Sequence, residues 1–63
     1  MKEIVYGYII KVIETEGRES FPYEEIAELF GLNTNQYQNL AKNAGWYNLR
    51  FRIVKETIFF YKI

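Results

Sequence analysis

Apolar residues recur with a helical period through the first part of this chain and with a period of two towards its end. From Lys2 to Glu16 they fall at Ile4, Val5, Tyr8, Ile9, Val12 and Ile13. Those spacings of one, three and four residues describe one wide stripe on a helix. Tyr6 and Ile10 fall outside it, and Gly17 is a natural stop. Gly7 and the β-branched content weigh against a helix, but strict alternation fails and the helical reading over 2–16 stands. Pro22 suits the first position of a second helix, where its fixed φ and missing N–H cost nothing. Glu24 and Glu25 complement the dipole of that first turn. Ile26, Leu29 and Phe30 form an apolar side, and Gly31 closes a helix over 22–30. Asn33 or Thr34 caps a third helix over 34–44, Asn33 making a capping-box pattern with Gln36 three residues later, and Gly45 is the terminator.

Beyond Tyr47 the period changes. Leu49, Phe51 and Ile53 alternate with Asn48, Arg50 and Arg52, which predicts a half-buried strand over 47–54. After Lys55-Glu56-Thr57, the run Ile58–Ile63 predicts a second strand over 58–63. The expected fold is mainly α with a C-terminal β-hairpin, an α+β arrangement in the order α-α-α-β-β, forming a single domain over 1–63.

The 63 residues include no Cys and no His, so disulfides and the usual zinc ligands are excluded. Twelve aromatic residues are left to build a core that is marginal at this length. No signal-peptide pattern or membrane-length apolar run is present, so a soluble, cytoplasmic protein is expected. Net charge is zero, yet it is unevenly spread. Residues 1–31 carry three Lys or Arg against seven Glu, and residues 32–63 carry five against one. The basic half could present an electrostatic footprint to a polyanion.

The stretch Tyr23–Leu40 is the most informative. Ala27 stands where two helices of a helix-turn-helix meet, and Gly31 follows at the turn. Ile26, Phe30, Leu32, Tyr37 and Leu40 fill the positions such a motif buries, with Tyr37 aromatic where an aliphatic residue is more usual. With the hairpin that follows, nearly the whole chain resembles a minimal winged-helix domain of the helix-turn-helix superfamily. The resemblance implies that the third helix is the recognition helix for double-stranded DNA and that the hairpin is the wing.

At 100° per residue, Tyr37, Leu40, Ala41 and Ala44 share one side of that helix. Asn35, Asn39 and Lys42 point away from them, with Gln36, Gln38 and Asn43 on the flanks. These six are the expected base-contacting residues, because amides pair a donor with an acceptor as adenine does in the major groove. Thr34, Arg50, Arg52 and Lys55 are expected at phosphates. Folding is expected to bring the amide surface and the two arginines side by side, clear of the glutamates. A small transcriptional regulator follows as the leading function, with a short wing and a need for two copies on a symmetric site.

Enzyme chemistry has little to build on: Ser20 and Thr34 have no histidine to activate them, no cysteine nucleophile exists and no phosphate loop is present. No cofactor or metal is expected. The competing expectation is a winged-helix module for protein interaction or a small homo-oligomeric assembly factor. It draws on the aromatic content and on the last strand, apolar on both faces, and leaves room for a homodimer through the first helix or that strand.

Overall fold

A computed structural model describes residues 1–63 as α1 (Lys2–Glu16), β1 (Ser20–Pro22), α2 (Tyr23–Phe30), α3 (Thr34–Ala41), a 3-10 turn (Ala44–Tyr47), β2 (Leu49–Val54) and β3 (Thr57–Lys62). Three helices cover one face of an antiparallel sheet with strand order β1-β3-β2. The layout is α+β and winged-helix-like. No helix is long and apolar enough to cross a membrane.

The core is apolar throughout and is dominated by aromatic rings. Tyr6, Tyr37, Phe21 and Phe60 are its largest buried side chains. Phe60 meets Phe21 and Tyr6 edge-on, at 5.9 and 5.8 Å between ring centres. Tyr6 also stacks on Tyr47 at 4.2 Å. Each buried hydroxyl has an acceptor, as burial demands: Tyr6 donates to the Leu40 carbonyl (2.7 Å) and Tyr37 to the Phe21 carbonyl (2.9 Å). Burial pushes both phenols well above their usual pKa.

Several elements depart from the sequence expectations. α1 is rotated about its axis: Val5, Tyr6, Ile9 and Val12 are buried, while Ile4 is 64% exposed. The rotation buries the Tyr6 ring in place of Ile4, and the Leu40 carbonyl accepts its hydroxyl. The second helix begins at Tyr23, not Pro22. Pro22 instead ends a short strand, β1, that carries Phe21 into the core and pairs with β3. A proline at the last position of an edge strand leaves no ladder bond unmade.

α3 ends at Ala41, three residues before the expected stop at Ala44. The Leu40 carbonyl, the natural acceptor for Ala44 N–H, is taken by the Tyr6 hydroxyl and by Asn43 N–H at 3.0 Å. The chain therefore tightens into the 3-10 turn, and β2 starts at Leu49 rather than Tyr47. Gly45 lies inside that turn and terminates nothing. Gly17 and Gly31 do adopt the left-handed backbone (φ 68° and 71°) that closes α1 and α2.

Two apolar positions read as buried are not. Leu29 is 54% exposed, and Ala27 is exposed too. α2 meets α3 through Tyr23, whose ring lies edge-on to Tyr37 at 5.6 Å. That contact is bulky, so nothing there requires a small residue at position 27.

Candidate nucleic-acid interface

α3 is fixed from below and from its start. Tyr37, Leu40 and Ala41 face the core. Asn33 caps the helix: its side chain accepts Gln36 N–H at 2.8 Å, and the Gln36 side chain accepts Asn33 N–H at 3.0 Å. This is the capping box expected from the sequence, and it occupies Gln36. Gln38 is also engaged, donating from Nε2 to the Tyr23 hydroxyl at 2.8 Å. Asn43 lies beyond the helix and donates from Nδ2 to the Asn39 carbonyl at 3.3 Å. Of the six candidate base-contacting residues, Asn35, Asn39 and Lys42 remain exposed with side chains that bond to nothing else in the chain. Thr34 is exposed at the first turn of α3.

The hairpin joins this surface only at its turn. Val54 pairs with Thr57, leaving Lys55 and Glu56 as a two-residue connection, with Lys55 in the left-handed region (φ 55°). Tyr23 N–H donates to the Glu56 carbonyl at 2.9 Å. Tyr23 thus ties the hairpin turn to α3 through its backbone at one end and its bond from Gln38 at the other. The turn is docked against the start of α2 and does not project as a free wing.

Arg50 and Arg52 lie elsewhere. Phe51 pairs with the buried Phe60 and Ile53 with the buried Ile58, so these four share the helix-facing side of the sheet. Side chains alternate along a strand. Arg50 and Arg52 consequently project from the opposite side, beside Tyr61 and Phe59. The expectation that they adjoin the amide surface of α3 is corrected: the sheet lies between them. The alternation that sends Phe51 inward is what turns the arginines away from the helices.

Other polar groups close on themselves. Arg18 grips Glu25 in a two-pronged pair (2.7 and 2.8 Å), donates to the Ser20 carbonyl at 2.8 Å and lies over the Phe21 ring at 4.8 Å. Tyr8 donates to Glu25 and accepts from Arg18. The Arg18 guanidinium holds the Glu25 carboxyl below the usual carboxylate range, and the Glu25 bond pushes the Tyr8 phenol up. The cluster pins α2 to α1 and has no part in the exposed face of α3. Glu25 is thus more than a complement to the helix dipole. Its partner lies seven residues back, beyond β1 and outside any helix, so no helical periodicity relates the two. No group of three acidic, His or Cys side chains is placed to hold a metal ion.

Comparison of the chain with protein-family models, with curated proteins and with solved structures gives no match.

Proposed function

We propose that this chain is a double-stranded DNA-binding protein, a small transcriptional regulator that lays α3 in the major groove. The observation that supports the reading best is the exposed side of α3, where Asn35, Asn39 and Lys42 stand free on a helix anchored by Tyr37 and Leu40. No acidic residue occurs between Leu32 and Lys55. Free amides can make the paired hydrogen bonds that distinguish adenine in the major groove. Lys55 and the Thr34 hydroxyl serve phosphates, and so does Lys42, which, though expected at a base edge, stands just past the last residue of α3. Gln36 and Gln38 position the helix instead of reading bases, and Arg50 and Arg52 lie outside this footprint. Few cations then face the duplex, so a monomer binds weakly and two copies on a two-fold site supply useful affinity.

Selection from a random duplex library at moderate salt tests the proposal. Enrichment of a motif is expected, and its symmetry reports the number of copies. Asn39→Ala should relax preference at one base pair, on the order of 1–3 kcal/mol. Lys42→Ala should weaken all sequences and lower the salt slope by about 0.9. A library that emerges unenriched would refute the reading.

A protein-binding reading has one observation in its favour. Phe51 and Ile53 on the helix-facing side of β2 are 38% and 41% exposed, because the helices stop short of this edge. The surfaces expected to mediate self-association are only partly open. Tyr6 of α1 is fully buried although Ile4 is exposed, and β3 is the central strand, paired with β2 along its length and with β1 over Thr57–Phe59, while its side carrying Phe59 and Tyr61 is only half-buried. Strand addition is open at β2 instead. Light scattering that gives a concentration-independent monomer mass would remove self-association there.

A further inference from the structure

The side of the sheet turned away from the helices is covered by no element of the chain. Its register places Ser20, Phe59 and Arg52 in one row, Pro22, Thr57 and Val54 in the next, and Tyr61 beside Arg50 at the other end. No acidic residue stands on it; Glu19 and Glu56, the nearest in sequence, lie outside the two rows and the Tyr61–Arg50 pair. Phe59 and Tyr61, two apart on the central strand, hold their rings nearly parallel (10°) at 6.3 Å. Each ring has an arginine directly across on β2, and the Arg52 guanidinium lies 6.0 Å from the Phe59 ring centre. Arg50 and Arg52 form no ion pair within the chain.

Guarding an open edge strand explains charges on β2. It does not explain two half-buried aromatic rings on the central strand, beside the charges and on the side with no core to fill. Aromatic faces that stack bases, flanked by cations that meet the phosphates, are what an unpaired nucleic-acid strand requires. A duplex offers its phosphates but keeps its bases stacked on each other. We infer that this sheet face, through Phe59, Tyr61, Arg50 and Arg52, is a second binding site that takes single-stranded nucleic acid. Two adjacent bases lie on the rings and their phosphates lie towards the arginines. The site is independent of the duplex reading for α3, since the sheet separates the two surfaces.

The test is a titration of the intact protein with a fluorescein-labelled single strand of fifteen thymidines (about two to three times the span the face could contact) and with a duplex of equal length. Amide shifts are followed by NMR alongside. The single strand should shift residues of β2 and β3 and leave Asn35–Lys42 unmoved. Phe59→Leu with Tyr61→Leu keeps apolar side chains but removes the π-faces, and should weaken single-strand binding at least tenfold while leaving duplex binding as it was. Arg50→Gln with Arg52→Gln should lower the single-strand salt slope by about 1.4, at roughly 0.7 per phosphate. Three outcomes would overturn the inference. In one, the single strand fails to bind. In another, its shifts map to α3. In the third, a polyglutamate peptide of equal charge competes as well as a second oligonucleotide and the leucine variants bind normally, marking a face that senses charge alone. Unchanged amide spectra of the free variants establish that they fold.

Discussion

The hydroxyl of Tyr6 offers the sharpest test of how the core positions α3. Tyr6→Phe removes one oxygen and keeps the stack on Tyr47 and the edge contact with Phe60. The Leu40 carbonyl keeps its second donor, Asn43 N–H at 3.0 Å. No group is orphaned, so the cost is the net value of one buried neutral hydrogen bond, about 1 kcal/mol, and not the larger penalty of an unsatisfied carbonyl. In a domain of this size, 1 kcal/mol moves Tm by roughly 4–8 °C. Truncation to alanine would cost about 3–5 kcal/mol, comparable to the whole stability of a small domain, and would report only unfolding. Thermal melts followed by circular dichroism at neutral pH provide the assay, with Tyr61→Phe as the control, since the Tyr61 hydroxyl has no partner in the chain. Alkaline pH adds an independent readout. Burial raises the folded pKa of Tyr6 above the unfolded value near 10. Its contribution is therefore complete below about pH 10 and is lost as pH rises beyond it. Tyr6→Phe should shallow the alkaline fall in stability. A Tyr6→Phe variant that melts with wild type, or that falls as steeply above pH 10, would refute the account of where α3 ends.

Two glycines should respond in opposite directions to the same added methyl, because a Cβ at either meets no atom within 4 Å. Gly7→Ala, inside α1, should stabilise by up to about 1 kcal/mol; Gly31→Ala, at φ 71°, should destabilise by roughly 1–2 kcal/mol, both measured by urea unfolding. Glu25→Gln should cost about 1 kcal/mol at neutral pH, since the pair with Arg18 is charge-assisted but partly open to solvent. Because Arg18 lowers the folded pKa of Glu25, the pair's contribution is present above the unfolded carboxylate value near 4.3 and disappears as pH falls below it. The Gln variant should show a flatter acid limb in melts between about pH 5 and pH 2, where those carboxylates titrate.

The elements legible in the sequence were those with local signals. The Asn33–Gln36 capping box, the glycines after α1 and α2 and the alternation around Phe51 are each set by residues a few positions apart, and each appears in the structure. What escaped depends on contacts far along the chain. β1 is only Ser20–Pro22 and exists because Phe21 fills a gap between β3 and α1. The phase of α1 is set by a hydroxyl that finds its acceptor 34 residues away, so a tyrosine that hydropathy places outside the apolar stripe becomes the centre of the core. The same bond shortens α3. The candidate site was half legible. The exposed side of α3 follows from helical geometry alone, whereas the use of Gln36 and Gln38 within the fold depends on a cap and on Tyr23. The separation of Arg50 and Arg52 from α3 was implicit in the strand pattern: residues opposite a core-facing set point away from whatever forms that core.

The unequal charge of the two halves acquires a spatial meaning from these placements. Most of the glutamates lie on α1 and α2. Only Glu14 reaches across to the basic half, through Lys62 at 3.0 Å, while Arg18 neutralises Glu25 within the acidic half. Lys42, Arg50, Arg52 and Lys55 are left without an acidic partner, the first at the end of α3 and the others along the hairpin. The domain measures 25 × 23 × 20 Å, two to three times the screening length of about 8 Å at physiological ionic strength. A polyanion approaching the open side of the sheet meets Arg50 and Arg52 with no acidic side chain in the rows between them. Zero net charge is a sum over the whole molecule, whereas a partner responds to the charge on the face it meets, and on this face that charge is positive.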